Sequence, residues 1–495
     1  MKETRSTPMQ KVPNAPRTLQ QYIGGRFVPP ASGDYVDDVA PSTGDVVARL
    51  PRGAAADVDA AVRAARAALA AGWGTTSVAA RAACLEAIAA GIAARADELA
   101  HLEALDTGKP LRLAQSVDIP RAIANFRFFA GAVRHDETAF HAMDGALNYT
   151  LRRPLGVVGL ITPWNLPLYL LTWKAAPALA MGNAVVAKPS ELTPLTAQAL
   201  AEIVAAAGVP AGVFNLVHGL GSEAGQALVE HPGVAAISFT GGTATGARVA
   251  ATAAPRFKKL SLELGGKNPT IVFADADFDT AVQGAVRAGF TNQGQVCLCG
   301  SRVLVERSLY DRFVTALVAQ VQRLRLGDPM DPQTDVGSLV SLAHRDKVEG
   351  YLRLAHDEGG QVVGGARPEM APPLARGAFL TPAVVTDLAH GCRFVQEEIF
   401  GPVVSVHPFA DEDEAVSLAN DVRYGLSASV WTRDLRRAHR VSARLDTGMV
   451  WVNTWLLRDL RVPFGGVKAS GVGREGGRWS LEFFSEARNV CIQLD

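Results

Sequence analysis

The run GVVGLI at 156–161 contains no polar side chain, and short apolar runs return as AVVA (184–187), VFNLV (213–217) and AAISF (235–239). A strand that is apolar on both faces has to be covered on both faces. Helix-compatible segments ending in Gly or Pro separate these runs. Strands alternating with helices in this way make a parallel, doubly wound α/β sheet. Upstream, residues 54–71 carry Val58, Val62, Ala65 and Leu69 at helical spacing, and residues 77–106 continue an Ala/Leu/Ile pattern without proline. Both read as amphipathic helices.

Downstream, KLSLELGG (259–266) alternates leucines with polar residues. As a strand it turns Leu260, Leu262 and Leu264 one way and Ser261 and Glu263 the other. Phe278, Ala281, Val282, Ala285, Val286 and Phe290 then form a helical stripe behind Asp277, a candidate cap. That helix leads into TNQGQVCLCGSRV (291–303). A second α/β series follows, with strands expected at 302–306, 379–385, 402–408, 427–432 and 448–453. The closing ARNVCIQLD (487–495) is strand-like but has no local partner, which suggests pairing with a second subunit.

At 495 residues the chain has room for two or three domains. Lys plus Arg and Asp plus Glu balance at 49 each, so the charge favours neither nucleic acid nor an anionic membrane surface. A small molecule or another copy of the chain is the expected partner. The cysteines, at 84, 297, 299, 392 and 491, are scattered and odd in number. That speaks against a disulfide framework and for a reducing, cytoplasmic setting. The opening MKETRSTPMQKVPNAPRTLQQ is polar, and Pro13 and Pro16 oppose an amphipathic presequence, so residues 1–20 read as a mobile tail. No run is long and apolar enough to span a bilayer.

Several segments could carry chemistry. In ITPWNLPLYLLTWK (161–174), Asn165 offers amide donors where negative charge develops on an oxygen, or it holds a turn between Pro163 and Pro167. In VVAKPSELTP (185–194), Lys188 and Glu191 follow a strand, where an α/β sheet meets a nucleotide. The plain alternative is a helix start capped by Ser190 or Thr193. ISFTGGTATG (237–246) could lay backbone N–H groups and a helix N-terminus against a phosphate, although neither it nor GLGSEAG (219–225) spells G-x-G-x-x-G. Glu263 could serve as a general base and Cys297 as a nucleophile, provided an electropositive setting forms the thiolate. Cys299 reads as a packed thiol. The C-x-C spacing lacks a matching ligand pair, so no metal is expected.

Taken in order, PWN, KPSE, FTGGTATG, LELGGKNP, GQVC, EEIFGPV (397–403) and PFGGVKASGVGREGG (463–477) resemble the aldehyde dehydrogenase superfamily, from about Tyr22 to the C-terminus. The resemblance implies a Rossmann-like NAD-binding domain (residues 21–138 and 155–264) and a second α/β catalytic domain (265–465). It also implies a small β oligomerisation element (139–154 and 480–495) and a homodimer or homotetramer. It matches Cys297 to the nucleophile, Glu263 to the base that activates the deacylating water, and Asn165 to the oxyanion donor beside the Cys297 N–H. Lys188, Ser190 and Glu191 match adenosine-ribose contacts. Gly221, Phe239, Gly241 and Gly242 match the adenine and pyrophosphate region. Glu398 and Phe400 match residues near the nicotinamide ribose, with Trp164 and Leu264 flanking the nicotinamide.

DIPRAIANFRFFAG (118–131) and VNTWLLRDLRVPFGG (452–466) resemble the semialdehyde dehydrogenases of aromatic-ring breakdown, which oxidise 2-hydroxymuconic and 2-aminomuconic 6-semialdehydes. ALNYTLRRP (146–154) and PEMAPPLARGAFLTP (368–382) look closer to the hydroxymuconic branch, CLCGSRV (297–303) to the aminomuconic one. A substrate with a distant carboxylate calls for a cation across the pocket, and the resemblance points to Arg121 and Arg458. Glu191 would repel a 2′-phosphate, which favours NAD over NADP. Other readings are a broad-specificity aldehyde dehydrogenase, a cysteine hydrolase without a redox step, and a binding protein that keeps the fold without activity.

Overall fold

In the computed structural model, which describes residues 16–494, alternate side chains of Val157–Ile161 enter two separate cores. Val158 and Leu160 pack with Leu85, Ile88, Phe126, Phe129, Leu171 and Leu200 from helices on one face. Val157 and Ile161 pack with Val58, Val62, Leu228 and Val249 from helices on the other. This two-sided covering is why the run carries no polar residue. Each side chain so buried contributes about 1.5–3 kcal/mol.

The sheet is eight-stranded, in the order Gly471–Val472, Lys259–Glu263, Ala236–Thr240, Val157–Ile161, Ala184–Lys188, Phe214–Leu216, Gln21–Ile23, Arg26–Val28. The five strands from Lys259–Glu263 to Phe214–Leu216 run parallel, and the flanking strands pair antiparallel. In register, Ile161 lies beside both Lys188 and Phe239, and Thr240 beside Glu263. The parallel strands therefore finish at a common carboxyl edge. Both sides of Lys259–Glu263 are covered at that edge, with Ser261, Leu262 and Glu263 all buried.

A second sheet has seven strands, ordered Gln361–Gly364, Ala383–Thr386, Val403–Phe409, Arg302–Glu306, Pro269–Val272, Ser427–Trp431, Met449–Val452. All are parallel except the first. The strand expected at 379–385 starts later, at Ala383, and Phe379 and Leu380 are buried outside any strand. Residues 77–106 form two helices, Val78–Ala94 and Ala96–Thr107, because Arg95 leaves the helical region (φ −112, ψ 21).

The closing strand Ser485–Gln493 finds a partner within the chain that is distant in sequence, and it forms one edge of its sheet. It pairs antiparallel with Ala146–Pro154 along its whole length, and Phe140–Met143 completes a three-stranded sheet. The first 15 residues of the expected tail lie outside the described residues. Arg17 and Thr18 pair with Ala48 and Arg49. Among the described residues no helix is long and apolar enough to cross a membrane.

Candidate active site

The segments singled out in the sequence follow one another along the carboxyl edge. Trp164 and Asn165 follow Val157–Ile161, Ser190 and Glu191 follow Ala184–Lys188, and Gly221 follows Phe214–Leu216. Gly241 and Gly242 follow Ala236–Thr240, and Lys259–Glu263 ends on Glu263 itself. Ligands of open α/β sheets bind in the crevice outside such an edge.

At one end, Lys188 Nζ donates to Glu191 Oε2 at 2.6 Å, and the Gly221 N–H faces Glu191 Oε1 at 3.5 Å. Burial pulls the Lys188 ammonium down against the pull of Glu191. Burial pushes the Glu191 carboxyl up, but Lys188 and nearby backbone N–H groups outweigh it and hold it low. The capping alternative is not realised. No side chain of its own segment caps helix Leu195–Ala206, and the Leu195 N–H donates instead to Asp106 Oδ2 at 2.9 Å. Ser190 Oγ accepts from the Leu192 N–H at 3.2 Å.

The edge is open at two of its glycines. A Cβ placed on Gly221 or Gly242 would meet nothing within 4 Å, whereas one on Gly241 would strike the Phe239 ring at 2.5 Å. Gly242 precedes helix Thr243–Ala253, whose first-turn N–H groups have no partner inside the helix. Thr240 Oγ1 and Thr243 Oγ1 are buried and have no hydrogen-bond partner among the described residues. Open glycines, a helix start and orphaned hydroxyls fit a phosphate-bearing ligand.

The nucleophile segment is shaped by backbone geometry. Asp277 caps helix Phe278–Phe290 by accepting from the Thr280 N–H at 3.1 Å, as its spacing suggests. The chain then turns through Asn292 and Gln293, both left-handed at φ 54 and 56. At Gly294 (φ 69) any Cβ would come within 2.0 Å of the Gly401 carbonyl. These turns leave Cys297 as the one partly exposed residue in 292–300. Asn268 Nδ2 grips the loop by donating to Cys297 O at 2.8 Å and Cys299 O at 2.9 Å, and Trp455 Nε1 donates to Leu298 O at 2.9 Å. Cys299 is a packed thiol, as read.

The electropositive setting that would form a thiolate is not what surrounds the sulfur. Burial first, then the charges of Glu398 and Glu263, push the Cys297 thiol up, and Arg458 opposes them. The Glu263 carboxyl is itself pushed well up, first by burial and then by Glu475. Both of its oxygens lack a hydrogen-bond partner among the described residues. Asn165 is buried and sends Nδ2 to the Gln295 carbonyl at 2.9 Å, so its amide reaches the nucleophile loop instead of its own turn.

Glu398 Oε1 accepts from the Gly266 N–H at 2.9 Å, and a Cβ on Gly265 would come within 2.1 Å of that carboxylate. Phe400 is held left-handed at φ 66, with its carbonyl accepting from His344 Nε2 at 2.7 Å. Trp164 meets the rings of Phe400 and His344 edge-on at 5.3 and 5.1 Å. Leu264 is buried against Gly246 of helix Thr243–Ala253.

Arg458 and Arg121 converge on Tyr169. Arg458 Nη1 donates to the Tyr169 hydroxyl at 2.8 Å, and the Arg121 guanidinium lies 5.7 Å from the Tyr169 ring centre. The Arg458 guanidinium sits 4.3 Å from the Trp173 ring and 3.9 Å from the Phe464 ring. Its Nε and Nη2 are buried with no partner among the described residues. Two shielded, unpaired donors on one cation call for an anion.

Sequence reasoning missed several of these groups. Lys174, fully buried in helix Pro167–Ala180, donates to Glu475 Oε1 at 2.6 Å and to Ser238 Oγ at 2.9 Å beside Glu263. A lone lysine in the apolar LYLLTWKAAPALA was the available signal. Tyr169 and His344 carried no comparable mark. Among the described residues, no three His, Cys, Asp or Glu side chains are grouped to hold a metal.

The sequence pattern described as the aldehyde dehydrogenase family matches residues 27–490. The chain is 53% identical over 485 residues to 2-hydroxymuconic semialdehyde dehydrogenase of Pseudomonas sp. (strain CF600), covering 97% of this chain and 100% of that one. It is 50% identical over 480 residues to 2-aminomuconic semialdehyde dehydrogenase of Danio rerio, covering 96% and 98%. The NAD+ complex of an aldehyde dehydrogenase from Bacillus cereus superimposes with a TM-score of 0.94 at 39% identity, covering 97% of each chain. By fold, by motif order and by identity along nearly its whole length, the chain belongs to the aldehyde dehydrogenase family.

Proposed function

We propose that the protein oxidises a semialdehyde bearing a distant carboxylate to the corresponding acid, with NAD as the electron acceptor. The observation that carries the substrate class is the Arg458 fork, stacked between two aromatic rings with Nε and Nη2 unpaired. Arg121 adds a second positive group beside Tyr169. Relatives named as 2-hydroxymuconic and 2-aminomuconic semialdehyde dehydrogenases support the same class, and both substrates stay within the reading.

Lys188, Ser190, Glu191, Gly221, Phe239, Gly241 and Gly242 would hold the adenosine and pyrophosphate. Trp164, Leu264, Glu398 and Phe400 would hold the nicotinamide ribose and ring. Glu191 is positioned for free ribose hydroxyls and against a 2′-phosphate, and the Bacillus cereus relative is an NAD+ complex. When bound, the nicotinamide accepts the aldehyde hydrogen together with its electron pair.

The chain's own residues do the rest. The partly exposed Cys297 thiol gives up its proton to solvent water, and the sulfur adds to the aldehyde carbon. The carbonyl π pair moves to oxygen, and Asn165 donates one amide N–H to that alkoxide beside the Cys297 N–H. The alkoxide then collapses, carbon loses its hydrogen, and a thioester remains on Cys297. Glu263 takes a proton from water, the water oxygen attacks the thioester carbon, and the Cys297 thiolate leaves. A carboxyl raised by burial above its usual range is a stronger base for this proton transfer.

The three-stranded sheet leaves Phe140, Leu151 and Ile492 exposed on one face, which supports a homodimer or homotetramer built on that face. The free cysteines support a reducing, cytoplasmic setting. The test is a kinetic panel of 2-hydroxymuconic semialdehyde, 2-aminomuconic semialdehyde and a neutral aliphatic aldehyde, read at the reduced-nicotinamide absorbance. Preference for the anionic pair is expected. Preference for the neutral aldehyde refutes the substrate class, and no absorbance rise with any aldehyde, alongside cleavage of a carboxylic ester, would favour the hydrolase.

A further inference from the structure

Buried charges that the mechanism above leaves idle lie directly behind Asn165. Lys109 is fully buried, and its Nζ donates to Asp118 Oδ2 at 2.8 Å and to the Asn165 backbone carbonyl at 3.0 Å. Glu103 lies 3.8 Å from the same ammonium and accepts from Thr196 Oγ1 at 2.7 Å. A second donor reaches the same carbonyl from another part of the chain. Asn292 Nδ2 lies 3.1 Å from Asn165 O and 3.2 Å from Gln295 O, the oxygen that also receives Asn165 Nδ2. The left-handed backbone of Asn292 aims that amide back at residue 165.

We infer that Lys109 and Asn292 are positioning residues. Together they pin the Asn165 main chain so that its side-chain amide stands where the alkoxide forms, and Asp118 ties the clamp to the helix bearing Arg121. The inference rests on the oxyanion role proposed for Asn165.

A buried ion pair by itself says little about stability, since apolar groups of similar volume often replace one without loss. What singles this one out is its target. Two donors from separate elements converge on a single carbonyl, 56 and 127 positions away in sequence. Asp118, the ammonium's partner, closes the π-turn Ala114–Asp118 and is followed at once by helix Ile119–Ala132, which carries Arg121. The clamp therefore joins the element expected to sense the far carboxylate to the amide expected to meet the reacting oxygen. Displacements of about 1 Å at such a site cost about a hundredfold in rate.

The test uses the full-length enzyme with Lys109→Met, Asn292→Gly, Asn165→Ala and the two doubles on Asn165→Ala. Gly at 292 keeps the left-handed backbone while removing the side-chain amide and its donors. Each clamp variant is expected to lower kcat about tenfold to a hundredfold. The cofactor Kd, from tryptophan quenching, should stay within about twofold because a residue acting only through Asn165 does not couple to the cofactor. On the Asn165→Ala background each should cost less than about twofold more, since residues acting through one group are not additive. A general loss of structure would instead lower both backgrounds alike, and that result overturns the inference. If Lys109→Met fails to fold, Asn292→Gly decides on the same criteria. Loss in Asn165→Ala with unchanged turnover in Lys109→Met and Asn292→Gly overturns the clamp alone. Unchanged turnover in Asn165→Ala overturns the oxyanion reading and the clamp with it.

Discussion

Replacing Arg458 with alanine removes a guanidinium whose Nη1 holds the Tyr169 hydroxyl and whose Nε and Nη2 are buried without partners. If those two nitrogens receive the substrate carboxylate, the substitution removes charge-assisted hydrogen bonds, each contributing about 1.5–3 kcal/mol net. Loss of one such contribution corresponds to about a tenfold to a hundredfold change in kcat/KM. The stack on Trp173 and Phe464 disappears as well, and that damage falls on every substrate alike. The informative quantity is therefore a ratio: kcat/KM for an anionic semialdehyde divided by kcat/KM for a neutral aliphatic aldehyde, both followed at the reduced-nicotinamide absorbance. Arg458→Ala should lower this ratio by about tenfold to a hundredfold, mainly through a higher KM for the anion. Arg458→Lys should recover part of it, because an ammonium keeps the charge but loses the fork. An equal fall for both aldehydes would refute the anchor, whatever its size.

Glu263 gives a stability prediction with a definite sign. Its folded carboxyl is raised, so the folded protein keeps that proton over a pH range where the unfolded chain has released it. The contribution is fully present below the unfolded value of about 4.3 and is lost as pH rises through the folded one. Glu263→Gln, neutral throughout, should melt above the wild type at pH 8, and the gap should close toward pH 4; a gap that widens on acidification contradicts this. Glu191→Gln removes the carboxylate next to Lys188 and should bring the NAD and NADP dissociation constants closer by about tenfold. An unchanged ratio by titration would move cofactor discrimination elsewhere.

What the sequence made legible was what short-range pattern encodes. Val157–Ile161 and its companion strands declare themselves because both faces are buried, and Asp277 declares itself because a cap works over three residues. The break at Arg95 carries no proline or glycine, so local pattern could not mark it. Ser485–Gln493 finds Ala146–Pro154 across more than three hundred residues, and pairing at that distance leaves no local trace. The site shows the same division. Asn165, Glu263 and Cys297 stand out only as an ordered set, since a turn asparagine or a buried cysteine is unremarkable alone. Lys174 meets Glu475 301 positions away, and Arg458 meets Tyr169 289 positions away, so only the fold reveals them. The charge around Cys297 ran against expectation for a related reason: Glu398 and Glu263 approach it from other segments, and burial outweighs Arg458.

The central claim is that the carbon being oxidised becomes bonded to the Cys297 sulfur. Rapid-quench mass spectrometry of Glu263→Gln mixed with semialdehyde and NAD tests it most directly, because the variant forms the thioester but hydrolyses it slowly. An acyl adduct is expected on the peptide containing Cys297, appearing in step with one equivalent of reduced nicotinamide per active site. Reduced nicotinamide accumulating at the wild-type rate with that peptide unmodified would contradict it.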